Sequence, residues 1–416
     1  MHLKNLSIEE FTNFANSHPL SSYYQTFNYA ILKAENNYDY DLIGMVDHNN
    51  TILAASLILF KPIGIKCKYG YAPRGFLIDY ENNYLVENFT SLLKKYYYEK
   101  SVIFIKVNPN IIVGQIDNDS FVTKYNQNTD ITSLLINNDY KKLRDNLYFE
   151  AQLPRFNAII DLKKFNKDSL DKNTKNKIKK GIRKGLILKK YPKEYLNKFY
   201  EFIKDKKNND EFYYKDYYTA FEKNDSIDLF LVSINYYDFL QNSQYLYDKE
   251  LEINTKLNNN LIYKNTNKAI NSKMNSDKVL LTYKNDIVEA TQGLNNEEVF
   301  IAGALVIRHK NKASIVLSGY DKKYKRFAAN YFLHYSLIEY YKEQFDYLDL
   351  NGISGDFTDN NPYAGLNKFK LGFKPNIYEY IGEFDLVIEP NSYEILLNNG
   401  ILSKELNRKD IKNTQN

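Results

Sequence analysis

Segments patterned as strands and helices alternate twice along this chain, and a long stretch lacking proline interrupts the second round. LIGMV and TILAASLILF, separated by Asp47-His48-Asn49-Asn50, predict a β-hairpin. The helix-like LVENFTSLLKKYYYEK then leads into a buried-strand candidate at Val102–Val107. A similar order begins after Pro154. A strand (AIIDL) precedes helices at 171–184 and 195–206, strands at 228–234, 299–307 and 313–318, a helix at 328–344 and a strand at 347–350. Such alternation implies a mixed α/β (α+β) protein with two successive units. The expected partition is 1–150 for the first domain, 151–236 and 296–385 for the second, and 386–416 for a C-terminal extension.

The interval 237–295 is rich in Asn, Lys and Glu, and Gly293 is its only glycine. Phe239, Leu246, Ile253 and Asn260 recur every seven residues, as do Leu280, Ile287 and Leu294. Two heptad-patterned helices joined at the polar 264–277 stretch predict an antiparallel helical hairpin projecting as an arm.

Charge is equally uneven. Residues 163–190 hold twelve Lys/Arg and two Asp, a net +10, whereas the whole chain is only +5. In the predicted helix, Ile178, Ile182 and Leu186 make a narrow apolar stripe, which leaves Lys175, Lys179 and Arg183 on a neighbouring face. A surface of this kind suits a polyanion: RNA, a pyrophosphate or an anionic membrane.

Several chemistries are disfavoured. Cys67 is the lone cysteine, so no intrachain disulfide can form. The five histidines lack HExxH spacing. GxSxG, GxxxxGK[ST] and GxGxxG are missing, as is the acetyl-coenzyme-A pyrophosphate loop. No cofactor or metal is expected. The N-terminus carries Lys4, Glu9 and Glu10 without a long apolar core, and no window reaches the roughly 18 apolar residues of a spanning helix. A cytoplasmic protein is expected, with peripheral contact at the inner face of the membrane.

Two segments carry pronounced turn chemistry. In Tyr71-Ala-Pro-Arg-Gly75 the proline fixes a turn that presents a guanidinium. In DLNGISGDFTDNNPYAGLNKFKLGF a strand runs through Gly352 and Gly355 into a loop, which ends at Lys368-Phe369-Lys370. A Phe beside a Lys offers a stacking face and a cation together.

These segments resemble the Fem-type (FemABX) family of non-ribosomal peptidyltransferases, which build peptidoglycan cross-bridges from aminoacyl-tRNA. The family's Q-S-x-x-W-x-x-x-K pattern matches Gln25 to Lys33, with Tyr29 for Trp, and YAPRG matches its Tyr-x-Pro-Arg-Gly. TKNKIKKGIRKG at 174–185, SGYDKKYKRFAANYFLHY, NGISGDF and KFKLGFKPNIYEYIGEF at 368–384 follow in family order. Coverage runs from about residue 20 to 385.

The resemblance implies two tandem acetyltransferase-like (GNAT-like) domains, with an antiparallel coiled-coil arm inserted in the second. It implies transfer of an amino acid from aminoacyl-tRNA to the stem peptide of a peptidoglycan precursor, either lipid II or a UDP-linked muropeptide. It places Lys33, Arg74, Asn108, Lys215, Tyr218 and Tyr320 along the precursor groove, with Asn108 standing where the family has Asp and Lys215 where it has Arg. Phe369 and the basic helix's Lys175, Lys179 and Arg183 would meet tRNA, and Lys370 would stabilise the charge that develops during transfer. The rival readings are a non-catalytic RNA- or membrane-binding module and a coenzyme-A-dependent acetyltransferase of the same fold.

Overall fold

The structure, a computed structural model, describes residues 1–400 except 64–65, 118, 127–129, 150, 206–208, 264–265 and 297. Two sheets form its frame. The first has seven strands, in the order His2–Asn5, Asp39–Val46, Ile52–Pro62, Lys68–Ala72, Val102–Val107, Phe384–Val387, Tyr140–Lys142. The second has nine: Leu186–Tyr191, Ile227–Ile234, Val299–His309, Lys312–Tyr320, Tyr347–Gly352, Phe156–Asp161, Asn376–Tyr380, Ile112–Ile116, Thr123–Tyr125.

The two sheets share a plan. Each begins with four antiparallel strands and adds a fifth in parallel, Val102–Val107 beside Lys68–Ala72 and Tyr347–Gly352 beside Lys312–Tyr320. A parallel neighbour needs a crossover. Helices Asn83–Tyr98 and Ala329–Tyr341 supply the two. Alternation along the strands feeds separate cores. Ile43, Met45 and Ile58 face the core beneath helix Asn83–Tyr98, while Leu42, Leu57 and Leu59 face the opposite way. There they meet Phe199, Leu229, Leu231 and Leu305 of the second half in one shared core.

Strand membership departs from the expected partition at two points. Ile112–Ile116 and Thr123–Tyr125, expected in the first domain, pair into the second sheet. Phe384–Val387 returns to the first sheet between Val102–Val107 and Tyr140–Lys142, and helix Pro390–Asn398 follows it. The anchor is ionic: Lys106, fully buried, donates to Asp385 at 2.7 Å, and Tyr393 donates to the other Asp385 oxygen at 2.9 Å.

Helices Tyr236–Tyr263 and Asn267–Gly293 pack antiparallel, with Asn254 opposite Ser276 and the Tyr236 ring filling the space a side chain at Gly293 would need. The seam is not the heptad expected. Ile253 and Leu294 are exposed, whereas Ser243, Asn254, Ser276, Asp286 and Ala290 are buried. Asn254 donates to Ser276 and Asp277, and Ser276 donates to Glu250. Once hydrogen-bonded to each other, these polar groups tolerate burial, and they displace the apolar residues that define a strict heptad. Among the described residues no helix is long and apolar enough to cross a membrane.

Candidate active site

A cleft opens where the second sheet's parallel pair separates. Lys312, Ala313 and Ser314 pair with Tyr347, Leu348 and Asp349, and there the ladder stops. Beyond it the Asn351 amide reaches across to the carbonyls of Ile315 and Val316 at 3.4 Å each. Asn351 has φ +69°, a left-handed conformation that Asn tolerates better than most residues. The splay leads into a hollow of about 140 Å³ whose wall includes Tyr23, Tyr24, Tyr213, Tyr214, Tyr217 and Asn351. Tyr23, Tyr24 and Asn351 also border an adjoining recess with Arg74, Asn157, Lys312, Asp349 and Tyr380. Arg74 and Tyr380 then border a third recess, containing Arg144, Arg155 and Glu383.

The YAPRG turn is built from Gln25 outward. Its side-chain amide donates to the Pro73 carbonyl (2.8 Å) and the Leu57 carbonyl (3.2 Å), and its oxygen accepts from the Leu57 N–H at 2.8 Å. Arg74 sits at φ +52°. Its backbone N–H donates to Asn108 Oδ1 at 2.8 Å, and its guanidinium lies 3.7 Å over the Tyr380 ring and donates to the Pro154 carbonyl. Asn108, 3% exposed, spends its amide on the Tyr71 hydroxyl. It braces the turn from inside and also borders the recess that contains Arg144, Arg155 and Glu383.

Lys33, on helix Phe27–Ala34, holds its ammonium 5.4–5.8 Å from the ring centres of Tyr29, Tyr38 and Tyr213. Burial lowers its pKa to about 8, and neighbouring Lys61 adds to the fall.

The KFK cluster stands on helix Ala364–Leu371, not in a loop. Asn367, one turn before Lys370, clamps the preceding segment: its oxygen accepts from Ser354 N–H, and its amide donates to the carbonyls of Ser354 and Asp356. Lys370, 7% exposed, donates to the Gly352 carbonyl behind Asn351. Burial lowers its pKa to about 8, while the Asp349 carboxylate acts in the opposite direction. Phe369 faces away, edge-on to Tyr331 (4.9 Å) and His334 (4.8 Å), and is half-buried.

The FemAB family model matches residues 6–397. The chain belongs to the FemAB family. As a member of that family it is an enzyme of the aminoacyltransferase class. It is similar to the aminoacyltransferase FemA of Staphylococcus aureus strains N315 and MW2, 27% identical to each over 404 residues, 92% of this chain and 94% of the relative. The solved structure of FemX superposes with a TM-score of 0.73 at 19% identity, covering 95% of this chain and all of that one. That likeness bears on the fold.

The FemAB cleft gathers some expected residues and leaves others out. Arg74 borders it, and Lys33 lies against Tyr213 on its wall. Helix Glu211–Glu222 directs Tyr213 and Tyr217, one turn apart, into the hollow. Lys215 lies on another face of that helix, paired with Glu211 at 2.8 Å, and Tyr218 is buried in the shared core. Helical periodicity sets Lys215 apart from Tyr213 and Tyr217, whereas Tyr218, one turn beyond Tyr214, is covered by the shared core. Tyr320 borders a different hollow, with Glu201, Asp205 and Asp321.

The basic helix, Lys172–Arg183, buries Thr174, Ile178 and Gly181, with Gly181 against Phe332; Ile182 is 50% exposed and off the stripe. Its stripe follows i, i+4, i+7, which the small residues Thr174 and Gly181 concealed in the sequence. Arg183 turns to the arm, 5.3 Å from the Tyr283 ring and 3.7 Å from Asp286, and buried Lys184 pairs with the same Asp286. Lys179 stays exposed, and Lys175 donates to the Asp168 carbonyl from a half-exposed position.

Sequence reasoning did not single out Asp349, Asn157, Tyr24, Tyr213 or Tyr217. Asp349 was legible only as a charge inside an otherwise apolar strand, YLDL.

Proposed function

We propose that this enzyme transfers an amino acid from aminoacyl-tRNA to an amine on the stem peptide of a lipid-linked or UDP-linked peptidoglycan precursor, as a step in building the interpeptide bridge. One observation carries the reading: the splayed parallel strands open onto a cleft walled by tyrosines and Arg74, and buried Lys370 is hydrogen-bonded to Gly352, the residue after the cleft's Asn351. Attack of an amine on an aminoacyl ester forms a tetrahedral oxyanion, and a fixed donor for such charge supplies roughly 3–4 kcal/mol. Lys370 fills that role when the Gly352 carbonyl gives up its hydrogen bond. Because the ester is already activated, attack needs no covalent enzyme intermediate.

The two sheets with repeated topology are read as tandem GNAT-like domains and the helical hairpin as a coiled-coil arm. The precursor's phosphate side lies toward Lys33 and Arg74. The tRNA acceptor end stacks at Phe369, and its phosphates run along Lys175 and Lys179. The reaction takes place in the cytoplasm, at the inner face of the membrane when the acceptor is lipid-linked. The test is mass spectrometry of lipid-linked and UDP-linked precursors incubated with the enzyme and charged tRNA. A mass gain of one aminoacyl residue, dependent on charged tRNA, is expected. A gain from an acyl-coenzyme-A donor instead, or no gain with any charged tRNA, overturns the reading.

A further inference from the structure

Resting on that reading of aminoacyl transfer to an amine, we infer that Asp349 and Asn157 form the cradle that receives the acceptor amine, with the Asp349 carboxylate taking its proton. Both side chains are more than nine-tenths buried, and both border the recess beside Arg74 and Tyr24. Asp349 closes the parallel ladder at the point of splay, opposite Ser314. Its Oδ1 accepts from the Asn351 N–H at 2.7 Å, which fixes the carboxylate against the strand. The Asn157 amide nitrogen donates to both carboxylate oxygens, at 3.2 and 3.1 Å. That contact sets the orientation of the amide, since a flipped group would aim its oxygen at the carboxylate. The consequence is an orphan: Asn157 Oδ1 is buried with no hydrogen-bond partner.

Native structures rarely leave a buried acceptor unpaired, and each instance calls for an explanation. A carboxylate beside an orphan carbonyl oxygen offers acceptors to an incoming N–H donor, and an amine or ammonium is such a donor. Lys312 Nζ stands 3.9 Å from Asp349, outside hydrogen-bond range, so it balances the charge without occupying the site. Lys370 donates to the carbonyl of Gly352, three residues beyond Asp349 on the same strand. The splay thus has an acceptor pair for the nucleophile and a cation for the oxyanion.

The step balances without a further reactant. The acceptor enters as an ammonium ion, and Asp349 takes its first proton, which frees the nitrogen lone pair to bond to the ester carbon. As the tetrahedral intermediate collapses, the bond to the ribose oxygen breaks, the nitrogen's second proton passes to that departing oxygen, and Asp349 releases its proton to solvent.

The test compares two acceptors in single-turnover transfer: the natural amine-bearing precursor, and an analogue with an aminooxy group in its place, whose nitrogen is unprotonated at neutral pH. Asp349→Asn is expected to slow amine transfer by about 10²-fold or more, the range of a missing general base, and to leave aminooxy transfer within a few-fold of wild type. Equal loss with both acceptors makes Asp349 structural and overturns the inference, as does no loss with either. Asn157→Ala removes the orphan oxygen and keeps the carboxylate. It is expected to lower the amine rate about tenfold, the worth of one hydrogen bond, and an unchanged rate overturns the cradle. Circular dichroism establishes that each variant is folded, and the second variant decides the matter if the first is not. If the wild-type enzyme transfers to neither acceptor, the proposed function itself has failed, a different outcome from transfer that ignores Asp349.

Discussion

Lys370 and Lys33 have both shed much of their hydration, and each titrates near pH 8 instead of at the usual lysine value. If Lys370 stabilises the oxyanion as a cation, Lys370→Met lowers single-turnover transfer about 10²-fold or more. Exposed Lys368 is the control, and Lys368→Gln keeps the wild-type rate. A near-normal rate in Lys370→Met removes it from the chemistry. The pH dependence has a definite sign. The required charge is present below about pH 8, so the rate falls as pH rises through it. Stability moves the opposite way: between about 8 and the unfolded value near 10.4 the unfolded chain binds more protons, so this group's contribution to folding improves with pH. A loss of rate above pH 8 is therefore not Lys370-driven unfolding. Lys33 titrates in the same window, and saturating precursor separates the two. For Lys33 the readout is binding: calorimetric affinity for a UDP-linked precursor falls as pH rises through about 8, and Lys33→Met both weakens binding and flattens that dependence. A wild-type pH profile in the variant excludes Lys33 as the phosphate contact. At this scale the sequence was informative at Arg74, which its turn singles out, and at Gln25 and Lys370, which the family resemblance picks out. It was silent on Asp349 and Asn157, whose meaning comes from being adjacent across strands nearly two hundred residues apart.

Among the elements, the basic helix shows what patterning reveals and what it hides. Its existence and ends follow from Asp171, whose carboxylate caps the Thr174 N–H, and from Gly185 at φ +66° just beyond its last turn. Its orientation does not follow from apolar residues alone, because Thr174 and Gly181 are two of its three buried residues. The difference matters for function, since the sequence reading gave Arg183 to tRNA, whereas it faces Tyr283 and Asp286 of the arm. Lys175 and Lys179 are thus the helix's candidates for phosphate contact. Lys175→Gln with Lys179→Gln is expected to flatten the logarithmic salt dependence of tRNA binding by roughly 0.7–0.9 for each phosphate that no longer meets a cation. Arg183→Gln leaves that slope unchanged and lowers the melting temperature instead. Binding titrations across a salt series decide between them, and an unaltered slope in the double variant reduces the helix to a solvated face. The arm shows the same limit. Two helices were legible from their length and lack of proline, but a seam carried by Asn254, Ser276 and Glu250 has no apolar period to read.

Across the whole molecule, strand exchange binds the two halves. Ile112–Ile116 leaves the first half to join the second sheet, Phe384–Val387 makes the reverse journey, and one apolar core draws on both. Sequence order revealed the alternation of elements but not this exchange, because such short strands are placed by partners distant in the chain. The consequence is cooperativity, and Lys106 and Asp385 are the place to test it. Both are fully buried, and Asp385 also accepts from Tyr393. Breaking a buried pair by neutralising one partner costs about 3–5 kcal/mol, because the other charge remains without water. Asp385→Asn is therefore expected to lower the urea stability of the folded chain by about that amount. If exchange makes the halves one unit, the loss reaches both sheets. Hydrogen exchange followed by mass spectrometry resolves this, since peptides from Leu186–Tyr191, on the far edge of the second sheet, report separately from those of Asp39–Val46. Faster exchange in both sets is the expected result. Acceleration confined to the first sheet would show that the halves unfold independently and that the returning strand fastens only the sheet it enters.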